Sequence, residues 1–452
     1  MYIRLLFPVV RLSLSACNLK TERTTNNEQR PTSNEQRTTN NITMQQALFI
    51  ILLFIFGLYA LLILYYWRSW VSIPGFKVPT GSCGKSQKLK VKITVIIPAR
   101  NEEENIADCL NSVCNQSYPK ELFEVLVVDD HSTDNTAALI KSFESEQVKL
   151  IALKDFIGEE INSYKKKAIE IAISQSTGEL IVTTDADCIV PENWLQTIAA
   201  FYEQYQPEFI VMPVGIRLVA NSVRPNSIRQ NSPQGEFLRI FQALDFMTLQ
   251  GITGASVHKK IHSMCNGANL AYSKKTFEEV GGFTGIDHIA SGDDMLLMHK
   301  IYKRWPDKVL FLKSKAAIVY TAPVNSLRAF FNQRIRWASK ADKYDDKRIF
   351  AVLLLVYFIN VILLVLPIIA FFYPDKLSIT AYPLSIFNFW ILLVLLKTGI
   401  ELLFLYPVAQ FFGMRKWLWL FPLMQPCHII YTVIAGWLGK FGSYSWKERK
   451  VK

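Results

Sequence analysis

The sequence lacks paired cysteines. Its seven, at positions 17, 83, 109, 114, 188, 265 and 427, form no CxxC array, which excludes a zinc ribbon and a disulfide framework and favours a reducing compartment for the soluble part. A nucleic-acid-binding motif is also missing. The formal charge is +12, from 50 Lys and Arg against 38 Asp and Glu, but the basic residues gather near apolar segments, where anionic lipid is the simpler partner. Calcium-loop spacing is absent, and DADCI (Asp185–Ile189) fails the DxDxT phosphatase pattern because Ile189 holds its last position. Charge-free runs, by contrast, are long. Half of the 452 residues are hydrophobic, too many for a disordered or collagen-like chain and too unevenly placed for one water-soluble globule. At roughly 150 residues per domain there is room for about three folding units.

Residues 47–67 carry no charge, and as a helix they span roughly 30 Å, the hydrocarbon thickness of a bilayer. Tyr65, Tyr66, Trp67 and Arg68 form an interfacial belt rather than a signal-peptide cleavage site. Upstream, NEQR occurs twice in a Thr/Asn-rich tract, at 27–30 and 34–37. Such a tract buries no core, so residues 1–43 are expected to be a disordered or untranslated extension, with translation starting at Met44. Residues 349–373 and 384–412 are again long enough to span. Lys397 and Glu401 interrupt the second of these four residues apart, on one helix face, where they pair either as a functional site or between packed helices. The segment 417–438 contains Pro422 and Pro426 and precedes a basic tail (439–452). If the soluble region is cytoplasmic, three full spans after it would place that tail outside, against the positive-inside rule. The segment 417–438 is thus expected to be transmembrane or, in the form that resolves the conflict, re-entrant or interfacial.

From about Lys92 to Asp346 short apolar runs alternate with helical periodicity, an α/β pattern. Strands are expected at 93–98, 124–129, 150–153 and 179–184. Helical spacing joins Ile106, Leu110, Val113 and Cys114, and again Ala168, Ile171 and Ala172. Residues 221–235 read as a polar loop insertion. VVDD (Val127–Asp130) and TTDADC (Thr183–Cys188) fall at strand carboxyl ends, so Asp129, Asp130, Asp185 and Asp187 converge on one rim. Carboxylates so crowded repel unless a cation neutralises them, and hard oxygen ligands suit Mg²⁺ or Mn²⁺, which would in turn hold a diphosphate. Asp293 and Asp294 precede a helical pattern. Gly267, in GANLAY, either lets backbone approach a ligand or simply turns the chain. In NQRIRW (Asn332–Trp337), the arginines, with Arg328, serve a site or contact lipid headgroups.

The ordered set IPARNEEENI, VVDDHSTDNT, TTDAD, GANLAY, SGDD and QRIRW resembles the membrane-anchored family 2 glycosyltransferases, relatives of cellulose, hyaluronan and poly-N-acetylglucosamine synthases and of lipid glucosyltransferases. The resemblance covers roughly Lys92 to Lys340. It implies a GT-A catalytic domain, Rossmann-like with a mostly parallel sheet, flanked by transmembrane helices. It also implies that Pro98, Asn101 and Glu102 border the nucleotide base, that Asp130 contacts the nucleoside, and that Asp185 and Asp187 form the metal-binding DxD. Lys166 and Lys167 fall near the diphosphate, and Gly267 lies on the donor side. Asp294, beside Asp293, matches the general base, and Gln333, Arg336 and Trp337 match QxxRW, with Arg336 on the diphosphate and Trp337 near the acceptor. Arg100 replaces a more usual Tyr. The implied protein is a multi-pass inner-membrane enzyme with a cytoplasmic catalytic domain, moving a hexose from a UDP-sugar or another nucleotide sugar to a lipid or growing glycan in envelope synthesis. A partner subunit or oligomer fits the small number of spans. The alternatives are a non-catalytic scaffold subunit of an envelope glycan complex and a transporter built on Lys397 and Glu401.

Overall fold

A computed structural model of the chain describes residues 33–79, 89–157, 163–218, 233–289, 292–339, 346–372, 376–377, 384–441, 444–446 and 449–451. The first NEQR repeat, most of the expected loop insertion, Cys17, Cys83 and part of the basic tail lie outside these. Two compact units are present: Met1–Ile50 with Ser378–Pro383, and Ile51–Leu377 with Leu384–Lys452. The described residues of the first are helical. The second holds every contact discussed below.

The first helix, α1, runs over Ser33–Ser72, so residues 33–43 are helical rather than part of a disordered extension. Once an apolar helix is nucleated, propagation into a polar flank adds a hydrogen bond per residue.

The central sheet is built from β1 (Ile93–Ala99), β2 (Phe123–Asp129), β3 (Val148–Ala152), β4 (Leu180–Thr183), β6 (Phe209–Val211), β8 (Leu270–Ser273) and β9 (Val309–Phe311), in the order β3-β2-β1-β4-β8-β6-β9. A smaller sheet joins β5 (Cys188–Ile189), β10 (Val319–Thr321) and β7 (Val214–Ile216). The sequence ITVIIPA and FEVLVVD of β1 and β2 is buried almost throughout, as parallel strands covered on both faces require. β3, β2, β1 and β4 are mutually parallel, while β8 runs antiparallel to β4 and β6. Register pairs Ala99 with Asp129 and Ile96 with Thr183. That brings the carboxyl ends of three strands to one rim.

Helices α2 (Ile106–Cys114), α3 (Thr136–Lys141), α4 (Tyr164–Gln175) and α5 (Trp194–Tyr205) cover the sheet. α2 buries Ile106, Cys109, Leu110 and Val113, and α4 buries Ala168, Ile171 and Ala172, the faces that their periodicity predicts. Next come α6 (Pro233–Lys259), α7 (Lys274–Glu279), α8 (Met295–Arg304), α9 (Leu327–Ala338), α10 (Lys347–Phe372), α11 (Ile386–Phe412) and α12 (Phe421–Phe441). Residues 233–235, expected in the loop insertion, already belong to α6. None of the five described cysteines forms a disulfide.

Among the described residues, four helices could cross a membrane by length and composition: Ala47–Ser72, Lys347–Phe372, Ile386–Phe412 and Arg415–Phe441. The last, expected to be transmembrane or re-entrant, includes α12, a continuous helix over Phe421–Phe441. Pro422 sits in its first turn, where no intrahelical donor is needed, and Pro426 stands only one turn further in. Lys397 is 1% exposed and donates to Glu401 Oε1 (2.8 Å) and to Gln425 Oε1 (2.9 Å) on α12. Gln425 Nε2 and the Tyr59 hydroxyl of α1 also donate to Glu401. The expected pair is therefore closed between packed helices.

At the carboxyl end of α1, Lys313 Nζ lies 4.4 Å over the Trp70 ring and donates to the Trp70 carbonyl at 2.8 Å. Burial lowers its pKa to about 8. Nearby, buried His262 places Nε2 2.8 Å from the Tyr66 hydroxyl and 3.1 Å from Ser256 Oγ. Burial pulls this imidazole down to about 4. The unfolded chain, with a histidine near 6.5, then binds more protons across roughly pH 6.5 to 4, so stability falls as pH drops through that window. His262→Gln is expected to flatten the loss of thermal midpoint between about pH 7 and about pH 5. Parallel slopes in variant and wild type would refute this.

Candidate active site

Two loops interlock beyond β1 and β2. Asn101 (φ 50°) and His131 (φ 54°) both adopt the left-handed region, which non-glycine residues enter rarely and Asn and His more readily than most. Asn101 N donates to Ser132 Oγ at 3.1 Å, and Asn101 Oδ1 accepts from Thr133 N at 2.9 Å. Glu102 N donates to Thr136 Oγ1 at 2.7 Å. Arg100 turns inward: Nη1 donates to the carbonyls of Asp130 (2.7 Å) and His131 (3.2 Å) and lies 3.8 Å from the Asp130 carboxylate. Asp130 is buried, 3.1 Å from His131 Nδ1, and the His131 ring meets Tyr164 edge-on at 5.7 Å. Pro98 sits one residue before the end of β1, opposite Val128. These loops thus make a pre-shaped edge from backbone strain held by side-chain bonds.

Asp185 and Asp187 follow β4. Asp187 Oδ2 accepts from Thr321 Oγ1 of β10 at 2.9 Å. Burial first, then Asp185 and Glu102, raise the Asp187 carboxyl to about 6. Burial and the same carboxylates also push the Cys109 thiol up. Into this field reaches Lys165 from the first turn of α4, with Nζ 2.7 Å from Asp185 Oδ1 and 3.2 Å from Asp293 Oδ2. Burial pulls its ammonium down, but Asp185, Asp293 and Asp294 together hold it above its ordinary value.

Asp294 caps α8. Its Oδ1 accepts from Met295 N at 2.7 Å and its Oδ2 from Gly267 N at 3.1 Å. A Cβ on Gly267 would lie 3.3 Å from Asp293 Oδ2 and 3.4 Å from Lys165 Nζ. Gly267 therefore serves close approach rather than a left-handed turn. Among the described residues no three His, Cys, Asp or Glu side chains gather as metal ligands. The Asp185 and Asp187 carboxylates are hard oxygens that would fit Mg²⁺ or Mn²⁺ only where phosphate and water oxygens complete the shell.

Two expectations are corrected. Lys166 is buried and donates to the carbonyls of Ile286 (2.5 Å) and Ile289 (2.7 Å), while Lys167 pairs with Glu170 at 2.7 Å. Neither reaches the rim, because successive helical residues point about 100° apart. Only Lys165, which the sequence reading passed over, faces the acids. Its signal was position: first of three lysines where a crossover helix starts beside the rim. Arg334, weighed as a lipid contact, is 4% exposed and pairs with Asp245 of α6 at 2.6 Å. Gln333 and Trp337 belong to this second cluster: Gln333 Oε1 accepts from Arg334 at 2.7 Å, and Trp337 packs on Phe246 at 5.9 Å. Arg336 is half-buried on the same helix.

A mostly parallel sheet in this order, with an acidic rim beyond β1, β2 and β4, defines the GT-A class of α/β fold. The Glycosyl transferase family 2 profile matches residues 94–281 of the chain. Among curated relatives, Glycosyltransferase AglE of Haloferax volcanii is 30% identical over 208 residues, 45% of this chain and 59% of that protein. Beta-monoglucosyldiacylglycerol synthase of Nostoc sp. is 24% identical over 252 residues, 54% of this chain and 48% of that protein. The chain therefore spans only about half the length of these relatives. Mannosyltransferase PcManGT from Pyrobaculum calidifontis, solved in complex with GDP-Man and Mn²⁺, shares the fold with a TM-score of 0.50 at 20% identity, over 87% of this chain and 99% of that one.

Lys165→Met is expected to leave Asp185 and Asp293 facing each other unneutralised. Because the Asp185 side chain is 37% exposed, screening limits the loss to about 1–2 kcal/mol of unfolding free energy. Lys167→Ala is expected to change stability by less than about 0.5 kcal/mol. Calorimetric unfolding of both variants checks the contrast, and equal midpoints would refute it.

Proposed function

We propose that the protein is a membrane-bound, inverting glycosyltransferase that takes a sugar from a nucleotide-sugar donor and delivers it to a membrane-proximal acceptor, a lipid or a growing glycan. The observation that carries this reading is Lys165, which joins Asp185 of one acidic motif to Asp293 of another. Two motifs about a hundred residues apart thereby make one cleft. A Beta-monoglucosyldiacylglycerol synthase among the relatives supports a lipid acceptor, and the GDP-Man and Mn²⁺ bound to PcManGT support a nucleotide sugar and a divalent ion.

The edge formed by Pro98, Asn101, Glu102 and Asp130 borders the nucleoside, and Gly267 opens room beside the transferring sugar. Asp187 and Asp185 would hold Mg²⁺ or Mn²⁺, which would supply positive charge to stabilise the departing diphosphate. Arg336 adds positive charge on that side. Asp294 is the general base: its carboxylate is oriented by two backbone N–H groups and keeps lone pairs for an acceptor hydroxyl. As the hydroxyl proton passes to Asp294, the acceptor oxygen bonds to the anomeric carbon from the face opposite the nucleotide, and the carbon–phosphate oxygen bond breaks. Configuration inverts. Such a base contributes roughly 10²- to 10⁴-fold. The four long apolar helices among the described residues support a membrane location; in this reading the catalytic domain lies on the cytoplasmic side of the inner membrane.

Full-length protein in lipid nanodiscs, offered UDP-, GDP- and dTDP-sugars with Mn²⁺, Mg²⁺ or EDTA, is expected to release one nucleotide only with metal, and Asp187→Asn to lose that release. In Asp294→Asn the new amide still caps α8, so nucleotide affinity is expected to persist while transfer drops by about 10²-fold or more. Undiminished turnover in this variant would sink the assignment of the base.

A further inference from the structure

Arg334 occupies an interior position inside NQRIRW. Its guanidinium makes three bonds in one plane: Nε (3.1 Å) and Nη2 (2.6 Å) donate to Asp245 Oδ2, and Nη1 (2.7 Å) donates to Gln333 Oε1. The same plane lies 4.5 Å from the Phe330 ring and 4.3 Å from the Trp337 ring. A single side chain thus touches both Gln333 and Trp337. Since the carbonyl oxygen of Gln333 is engaged, what Gln333 offers to a ligand is its amide N–H donors.

The bracket extends to the membrane helices. The other oxygen of Asp245 accepts from the Tyr431 hydroxyl of α12, and His428 Nε2 of the same helix stands 3.8 Å from it. Tyr431 also packs edge-on against Phe330 at 5.3 Å and Phe241 at 5.8 Å. Independently, a Cβ on Gly439 of α12 would lie 2.7 Å from Ala338 Cβ, so α9 and α12 approach backbone to backbone. A buried charge pair is seldom retained for stability alone. Nor is lysine equivalent here, because a compact ammonium neutralises Asp245 but neither forks to Gln333 nor stacks between two rings.

We infer that Arg334 is a positioning residue for sugar transfer: clamped on Asp245, it sets the Gln333 amide and the Trp337 ring in place and ties both to α12. The inference rests on the transferase reading above. Arg334→Lys keeps the charge on Asp245, and a double variant, Arg334→Gln with Asp245→Asn, removes both charges and leaves none unpaired.

The test uses full-length wild type and both variants in nanodiscs, with the donor that the wild type accepts. It measures transfer to acceptor, nucleotide release into water without acceptor, and affinity for UDP or GDP. Both variants are expected to lose transfer by about 10- to 100-fold, with nucleotide affinity and release into water within about threefold of wild type. A defect confined to folding would lower all three together, and that result overturns the inference. Transfer at wild-type level in Arg334→Lys overturns it as well. A wild type that turns over no donor overturns the transferase reading, and this inference with it.

Discussion

Like charges crowded at low dielectric are the constraint on which the site depends. The register of β1 against β2 and β4 leaves no choice about where their carboxyl ends lie, and the residues that follow those ends are acidic. Burial, and with it the field that Asp185, Asp187 and Glu102 share, raises Asp187 and pushes the Cys109 thiol up. Asp293 arrives from the turn before α8 to face the same gap. A compact cation is the physical answer to such a cluster, and Lys165 is the part of that answer carried by the chain itself. Its length lets it reach across the gap while its stem lies along α4.

Around this charged centre the structure keeps two kinds of order apart. The loops beyond β1 and β2 are held by short polar bonds and by two left-handed residues, Asn101 and His131, so their shape is set before any ligand arrives. The α9 cluster is held by a guanidinium between rings and by close packing against α12. The first is anchored to the sheet and the second to the apolar helices. A reaction that joins a water-soluble donor to a membrane-proximal acceptor has use for both anchorages.

Much of the fold was legible in the sequence because its signals are local. Continuous β-branched runs mark β1, β2 and β4, and the spacing of Ile106, Leu110 and Val113 marks α2. The acidic rim was legible too, since strand ends in an open parallel sheet have a known direction. What escaped was azimuth. Three adjacent lysines, 165 to 167, look alike in a sequence, yet the rotation of one helix sends one to the rim, one to the carbonyls of Ile286 and Ile289, and one to Glu170. The place of Arg334 stayed open for a related reason: an arginine in a basic segment near a membrane helix says nothing of Asp245, 89 residues away.

The polar knot of Tyr59, Lys397, Glu401 and Gln425 has a consequence for how the apolar helices are indexed. Leucine-rich helices slide and rotate past one another at little cost, because one apolar ridge resembles the next. Moving α11 by one turn, about 5.4 Å, would strand Lys397 and Glu401 opposite side chains that can neither donate nor accept, at a cost of several kcal/mol. The knot is therefore a key cut for a single lock: three greasy cylinders that could settle in many ways are held to one.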